Sequence, residues 1–337
     1  MDNSFFILAK QEVDIIRFHI CTWDIENESS FVEIGIEFKF QNQIKEIDFN
    51  FVAPFINKGY SINCLCSNLI KDSNNSKFIF NDNIKTSSAI KGDKRNGAIL
   101  DFETRGVLNI LPIQQIVIEE EQIVSFKIQN PKTENDSPCY VRFLIKSKRK
   151  TLSTENRGIA KTSFIYDVKL NEKRNLPNKV YELTKDKYHL CNVDTCFCFH
   201  VVPNSFAITF TDSNRLKNIR ELEVLAFKEY LPGLKSMKEN EYVIVFNKDE
   251  KREAYSFFTV FTRETIGTKQ ILFAVSANIL CSLLFAISSW RKGLIAETSF
   301  LCQIPFEYWL SFFILLIVFL TLFSPLYRIK NFFKRNL

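Results

Sequence analysis

A run of positive charge between residues 142 and 161 has the residue types that point most directly to binding chemistry. Seven basic residues stand there with a single acid, Glu155; they are Arg142, Lys146, Lys148, Arg149, Lys150, Arg157 and Lys161. The remaining residues before position 271 carry 31 basic and 35 acidic side chains, so the positive charge is concentrated in this run. Charge-assisted hydrogen bonds from such a cluster suit a phosphate-bearing ligand. A solvated loop and a contact with anionic lipid headgroups are the alternatives.

A second cluster has side chains that can bind a metal. His189, Cys191, Cys196, Cys198 and His200 lie within twelve residues. Zinc requires four converging ligands, and Cys-x-Cys-x-His is not the Cys-x-x-Cys spacing of a zinc knuckle. On a strand, Cys196, Cys198 and His200 share one face, and free cysteine is often a small buried hydrophobe. We therefore predict a plain strand here, with neither a metal nor another cofactor.

Signatures of catalysis are absent from the sequence. Nine glycines in 337 residues include no G-x-G-x-x-G or G-x-x-x-x-G-K phosphate loop. The three histidines belong to no H-E-x-x-H motif, and there is no nucleophile elbow. Nine irregularly spaced cysteines indicate reduced thiols and no disulfide framework. We expect no catalytic residues and a protein that is not an enzyme.

Two apolar stretches near the end of the chain predict a membrane protein. They run from Ile271 to Trp290 and from about Tyr308 to Tyr327, and neither contains a charged residue. A helix of about 20 residues covers the roughly 30 Å hydrocarbon core of a bilayer. The sequence therefore predicts a hairpin of two transmembrane helices within residues 271–327, followed by a basic tail at 328–337.

Polar side chains give the first apolar stretch a face that the second lacks. Asn278, Ser282 and Ser289 lie within roughly 40° of one another on a helix. An unpaired amide in hydrocarbon is costly, so this face should meet protein or water and not lipid. Two interpretations remain open. The face is either a helix–helix seam of small residues or the lining of a pore in an oligomer.

The distribution of Lys and Arg around the two stretches predicts their orientation. The short linker between them offers Arg291 and Lys292. The outer flanks offer eight basic residues, which are Lys251, Arg252, Arg263, Lys269, Arg328, Lys330, Lys334 and Arg335. The positive-inside rule then places both termini in the cytoplasm, in a protein that crosses the membrane more than once.

The first 175 residues read as short strands. Val32, Ile34, Ile36 and Phe38 alternate with polar residues, the pattern of a half-buried strand. A turn at residues 41–43 and a second alternating run at 47–51 predict a hairpin with it. Further strands follow at regular spacing without helical periods between them, so residues 1–175 predict a β-sandwich sensor domain.

Residues 176–270 predict a smaller α+β unit that couples the sandwich to the membrane. Four strands flank one predicted helix, which Asp212 or Ser213 caps and Pro232-Gly233 ends. Its buried stripe is Leu216, Ile219, Ala226, Phe227 and Tyr230. The fold class is thus mainly β, with a sandwich, a small α+β unit and a C-terminal transmembrane hairpin.

This layout resembles the membrane effectors of bacterial anti-phage systems, of the Hailong type or the cyclic-oligonucleotide-gated type. The similarity is one of architecture, with residues 1–270 as sensor and 271–327 as channel-forming segment. It implies an inner-membrane homo-oligomer, of four or more subunits by our expectation, that permeabilises the bilayer when a nucleotide or oligonucleotide signal arrives. It also implies a nucleotidyltransferase partner, Asn278 and Ser282 facing the conducting path, and Phe285 as its apolar constriction. The alternative is a membrane-anchored scaffold whose sandwich recruits a partner protein.

Overall fold

The computed structural model describes residues 4–25, 30–41, 44–132, 137–147, 152–158, 160–224, 230–231, 241–264, 266, 268–292 and 306–323. They fall into two compact units. The first comprises residues 1–156 and 163–263, and the second comprises residues 157–162 and 264–337. The first unit is mainly β and is built from two sheets, which confirms the mainly-β prediction.

The first sheet brings together strands from both ends of the first unit. In spatial order it contains β16 (Phe206–Thr211), β19 (Tyr255–Glu264), β13 (Lys161–Leu170), β1 (Ser4–Ala9), β4 (Glu46–Val52), β10 (Ile123–Gln129) and β9 (Gln115–Glu120). Two short strands extend it, β12 (Thr154–Arg157) beside β13 and β14 (His189–Leu190) beside β1. Strands β1 and β13 run parallel, whereas β1 and β4 run antiparallel.

The second sheet carries the candidate site. Its order is β17 (Leu216–Glu221), β18 (Tyr242–Glu250), β15 (Asn192–Pro203), β2 (Asp14–Trp23), β3 (Ser30–Phe38), β11 (Cys139–Ser147), β8 (Gly106–Ile110), β7 (Ala98–Phe102) and β6 (Ile84–Ala89). Strand β5 (Ile62–Cys64) also pairs with β11. The helices of the described residues are α1 (Cys66–Lys71), α2 (Ser73–Phe80), α3 (Asn178–Asp186), α4 (Thr268–Lys292) and α5 (Phe306–Phe323). Short 3-10 turns occupy Ile90–Gly92, Lys94–Asn96 and Lys173–Asn175.

The main hydrophobic core lies between the inner faces of the two sheets. Phe51 of β4 meets Phe18 of β2 and Phe143 of β11, with ring centroids 6.3 and 6.1 Å apart. Phe126 of β10 meets Phe143 at 5.2 Å. Alternate residues of each strand face this core because successive side chains of a strand point to opposite sides.

A second core covers part of the outer face of the second sheet. Helices α1 and α2 pack there on residues of β7, β8 and β11, together with Leu222, Val224, Tyr230 and Leu231. Asp72 caps α2 by accepting a hydrogen bond from the backbone N–H of Asn74 at 2.9 Å, and Asn81 ends it in a left-handed conformation. This cover buries Glu33 and Glu37, so the prediction that β3 is only half-buried is wrong.

Three other expectations need correction. Strand β3 pairs with β2 and β11, and β4 pairs with β1 and β10, so the predicted hairpin between them does not form. Residues 216–221 are strand β17 and not a helix; residues 225–229 of that predicted helix lie outside the described residues. Strands from both sides of residue 175 share each sheet, so the division predicted there is not a boundary between compact units.

The second unit contains the apolar helices α4 and α5. Within the described residues, the segment Gln270–Ile287 is long and apolar enough to cross a bilayer, with a mean hydropathy of 2.1 and 11% of it buried. Helix α5 packs against α4, where the Sγ of Cys281 donates to the backbone oxygen of Ser311 at 3.6 Å. Ala277, Cys281 and Ser311 are buried at this seam.

Candidate functional site

An open cleft of about 470 Å³ lies on the outer face of the second sheet, beside the part that α2 covers. Its floor comes from β2, β15 and β18, and one side comes from the end of α2. The lining residues are Arg17, His19, Cys21, Trp23, Phe78, Ile79, Phe80, Asn81, Arg105, Arg142, Phe197, Phe199, Lys217, Asn218, Arg220, Ile244 and Phe246. Five of these described residues are basic and none is acidic. All of them belong to the first unit.

Three stacked phenylalanine rings line one part of the cleft. Phe199 and Phe246 face each other across β15 and β18, with centroids 4.6 Å apart and ring planes 11° apart. Phe197 lies nearly parallel to both, at 6.5 Å from Phe199 and 5.9 Å from Phe246. The rings are only partly buried because nothing described covers this part of the sheet as α2 covers its neighbour. These stacked rings, which we call the phenylalanine wall, therefore offer a ligand an apolar surface of ring edges and outer ring faces.

A β-bulge brings two of the basic side chains to the cleft rim. The pairing of β17 with β18 shifts between Leu216 and Asn218, so one extra residue, Lys217, is inserted. A bulge re-aims neighbouring side chains. As a result Lys217 and Asn218, although adjacent in sequence, both line the cleft, together with Arg220.

Below the rim, a buried ion pair is the anchor of a hydrogen-bond chain. The Nε of Arg142 donates to Oε2 of Glu33 at 2.6 Å, and its Nη2 donates to the same oxygen. The hydroxyl of Tyr230 donates to that carboxylate at 3.2 Å. Burial disfavours the charge on Arg142, but Glu33 with Tyr140, Tyr230 and Cys21 together outweighs it, and the pKa of Arg142 is raised well above its ordinary value.

The chain continues from Arg142 to His19 and fixes the proton position on that imidazole. The Nη1 of Arg142 donates to the Tyr140 hydroxyl at 2.9 Å, and this hydroxyl lies 3.0 Å from Nδ1 of His19. Since no other acceptor among the described residues bonds the Tyr140 hydroxyl, its proton is donated to Nδ1. His19 then carries its own proton on Nε2, which bonds no described residue. Burial, with Arg142, Arg105 and Arg17 nearby, lowers the pKa of His19 well below its ordinary value, so the ring is neutral.

A second buried carboxylate holds two further arginines. Arg105 donates from Nη2 to Glu37, and the Nε of Arg17 lies 3.8 Å from the same oxygen. The guanidinium of Arg105 also lies 4.7 Å from the ring centre of Phe80. Burial lowers the pKa of Arg105, although Glu37 counteracts it. Arg105 makes the closer contact with Glu37. One carboxylate between two arginines leaves a net positive charge beside the cleft.

The arrangement suits binding better than nucleophilic catalysis. Cys21 and His19 both line the cleft, but burial and the Glu33 carboxylate raise the pKa of the Cys21 thiol well above its ordinary value. A neutral thiol is a poor nucleophile, and an imidazole with a strongly lowered pKa is a poor general base to activate it. The cleft can instead hold a ligand through stacking, charge and one directed N–H donor.

The structure separates the members of the basic run that the sequence singled out. Arg142 is buried under the cleft, and Lys146 is exposed near the end of β11. Lys148, Arg149 and Lys150 lie outside the described residues. Arg157 and Lys161 are exposed and belong to the second unit. Among the described members of the run, Arg142 is thus the one that lines the cleft.

Four members of the cysteine and histidine cluster are buried, Cys191 among them, whereas His189 is exposed. Cys196, Cys198 and His200 are fully buried on the inner side of β15, whereas Phe197 and Phe199 face the cleft, as strand alternation predicts. The Nδ1 of His200 is 2.8 Å from the Thr22 hydroxyl, and its Nε2 is 3.5 Å from the Cys198 sulfur. No group of His, Cys, Asp and Glu among the described residues is arranged to hold a metal ion.

The predicted pore residues lie on α4 away from its contact with α5. Asn278 and Ser282 are exposed, and the Ser282 hydroxyl donates to the backbone oxygen of Asn278 at 2.9 Å. Phe285 is 38% exposed on the same face. Ser289 is within α4, but its side chain lies outside what the structure describes. The contact with α5 is made a quarter-turn away, at Ala277 and Cys281.

Comparison with known proteins identifies no family. The chain matches no protein-family model and no curated protein. Among solved structures, a protein of Parabacteroides distasonis described as a candidate protease has a TM-score of 0.31 and 9% identity, over 86% of this chain and 47% of its own. This chain thus spans about half the length of that protein. The baculovirus protein P35 has a TM-score of 0.23 and 10% identity, over 75% of this chain and 99% of its own. Similarities of this size identify neither a fold family nor a function.

Proposed function

We propose that this protein is a membrane effector whose C-terminal helices assemble, in several copies, into a pore that the β region controls. The observation that carries the proposal is the position of α5 on α4. Helix α5 covers Ala277 and Cys281 and leaves Asn278 and Ser282 exposed. The seam of small residues and the polar face are therefore two different faces of α4.

The exposed polar face requires a partner in a membrane. An amide in hydrocarbon without hydrogen bonds costs several kcal/mol, so the Asn278 face is stable only against another protein surface or against water. A two-helix subunit cannot enclose water alone. A ring of α4 helices from four or more subunits, with α5 outside it, satisfies the polar face and gives the exposed apolar side chains of α5 to lipid.

The β region supplies the control in this proposal, with both termini in the cytoplasm as the basic flanks predict. The cleft is the place where a signal molecule binds, and a nucleotide or oligonucleotide made by a nucleotidyltransferase fits the resemblance to anti-phage effectors of the bacterial inner membrane. Antiviral defence is the corresponding role. Strand β19 ends at Glu264 and α4 begins at Thr268, so a change in the sheet reaches the membrane through a short connection.

A leak test in bacteria examines the proposal. Phe285 shares the face of Asn278 and Ser282, so Phe285→Ser replaces an apolar constriction with a hydroxyl and should depolarise cells that express the full chain. Leu280→Ser is the matched control, because Leu280 is exposed on the opposite side of α4, where lipid is expected. Membrane-potential dye fluorescence gives the readout. If both variants reach the membrane and neither depolarises the cells, the pore is excluded and the membrane-anchored scaffold remains.

A further inference from the structure

The cleft on the second sheet combines stacked aromatic rings with a cationic rim, a pairing that specifies a ligand class. We propose that it binds one nucleotide unit, with the heteroaromatic base on the phenylalanine wall and the phosphate at Arg17, Lys217 and Arg220. Of the basic run, this cleft includes Arg142 and not Lys146 among its lining residues. The inference deepens the proposed function, on which it rests for the consequence of binding but not for binding itself.

The phenylalanine wall recognises the base. Phe199 and Phe246 are stacked on each other and partly exposed, so a flat ring can extend the stack on an outer face without repacking the core. Every nucleobase has a planar π-face, and base–aromatic stacking changes affinity by roughly 5- to 150-fold per base. An aliphatic ligand gains no comparable stacking on the outer face of an aromatic ring.

The rim can bind a phosphate because ion pairs within the protein do not neutralise all of its positive charge. Glu33 pairs with Arg142, and Glu37 pairs most closely with Arg105. Arg17 stands farther from Glu37, at 3.8 Å, with its side chain 38% exposed. Lys217 is exposed and makes no ion pair within the described residues. Arg220 shares its charge with Glu223 at 2.8 Å on the surface. Glu37 carries one negative charge and cannot neutralise both Arg105 and Arg17, so an anion at the rim meets a net positive charge.

His19 adds direction to the site. Its ring is held by the Tyr140 hydroxyl on one side and packs edge-on against Phe197, with centroids 4.9 Å apart. The remaining N–H on Nε2 bonds no described residue, so it is available to one acceptor of the ligand, such as a ring nitrogen or carbonyl of the base. A donor held in this way favours a heteroaromatic ring over a plain phenyl group.

The size of the cleft limits what enters. About 470 Å³ is within the range of small-molecule sites, and it suits one nucleotide unit. The site therefore takes a mononucleotide or one unit of a small cyclic or linear oligonucleotide. We commit to a soluble nucleotide; a nucleic acid strand is an alternative that the test separates.

Isothermal titration of the full chain in neutral-lipid nanodiscs tests this assignment without measuring conduction. The probes are the four ribonucleoside monophosphates, the matching nucleosides, inorganic phosphate, cyclic di-adenylate and a single-stranded 20-mer. At least one monophosphate or the cyclic dinucleotide should bind saturably. For a monophosphate, its nucleoside and inorganic phosphate should each bind at least about tenfold more weakly, because each lacks half of the recognised chemistry.

Substitutions test which residue binds the base and which binds the phosphate. Phe199→Ala should weaken nucleotide and nucleoside about tenfold or more, whereas Lys217→Gln should weaken only the nucleotide. Phe258→Ala and Lys58→Gln, an exposed ring on the other sheet and an exposed cation, are the matched controls and should leave affinity unchanged. Lys217 is exposed, so loss of binding in Lys217→Gln with an unchanged unfolding temperature does not reflect misfolding.

Three results overturn the assignment. They are the absence of saturable nucleotide binding, binding of the 20-mer alone, and nucleotide affinity that falls in Lys146→Gln but not in Lys217→Gln. The last would return the site to the basic run. A chain that binds nucleotide but never conducts leaves the cleft assignment standing and contradicts only the pore, so the two failures are distinguishable.

Discussion

The phenol of Tyr140 lies over Gly35 of the neighbouring strand, in the space that a side chain at residue 35 would fill. From there it bridges β11 and β2 across β3, accepting from Arg142 and donating to His19. Gly35 stands directly opposite His19 in the pairing of β2 with β3. The absence of a side chain at Gly35 thus leaves the space in which Tyr140 makes the hydrogen bonds below the cleft.

Gly35→Ala should both destabilise the protein and disturb the cleft. The new methyl group would collide with the Tyr140 oxygen and lie 2.9 Å from its Cζ, so the ring must shift, which disturbs its hydrogen bonds to Arg142 and His19. Overpacking of this kind costs about 1–3 kcal/mol of unfolding free energy. Gly59→Ala is the control, because the nearest atom to its methyl group is 4.0 Å away. Thermal unfolding of the full chain in detergent gives the comparison, and equal melting temperatures would contradict the role of Gly35.

Arg142→Met should be among the most destabilising changes in the first unit. It leaves the Glu33 carboxylate buried without its cation, a situation that typically costs about 3–5 kcal/mol. Adding Glu33→Met should recover part of the loss, because no unpaired charge remains. Lys146→Met on the same strand is exposed and should change stability by no more than about 0.5 kcal/mol. Urea unfolding checks all three, and additive losses in the double variant would argue against the pair.

His200 should make the protein less stable as the pH falls. Burial lowers the pKa of His200 to about 3, whereas an unfolded histidine has a pKa of about 6.5. Between these values the unfolded state takes up a proton that the folded state does not, so stability is lost as pH drops below about 6.5. The slope is about 1.4 kcal/mol per pH unit for this group.

The pH dependence of unfolding in variants isolates that contribution. His200→Gln should flatten the loss of unfolding free energy between pH 6 and pH 4.5 by about 1.4 kcal/mol per unit, relative to wild type. The exposed His189→Gln serves as the control and should follow wild type. An unchanged slope in His200→Gln would mean that His200 is protonated in the folded state as readily as in the unfolded chain.

Alternation along single strands was the most reliable guide to this fold. The pattern around Ile34 and Ile36 correctly assigns β3, and the pattern around Cys196 and Cys198 correctly assigns their common inward face. Alternation does not reveal what covers the polar side. Glu33 and Glu37 read as solvent-facing because their partners Arg142 and Arg105 are about 70 or more residues away in sequence.

Pairing and the cleft could not be predicted for a related reason. Strands β3 and β4 belong to different sheets, and a turn signal in the sequence between them does not say which strands pair across it. Leu216 and Ile219 have a helical spacing, but strand pairing with β18 overrides it. The phenylalanine wall comes from β15 and β18, and its polar neighbours come from β2 and β17, so only the sheet order brings them together.

Control of a pore by the cleft is measured most directly by electrical recording from planar bilayers that contain the purified full chain. Adding the tightest-binding nucleotide to the side of the β region should produce discrete current steps. The amplitude of these steps should fall in Asn278→Leu, because an apolar side chain removes water from the polar face. In Lys217→Gln a higher nucleotide concentration should be required to produce them. A bilayer that stays silent while nucleotide is bound, or identical currents in wild type and Asn278→Leu, would contradict the proposed function.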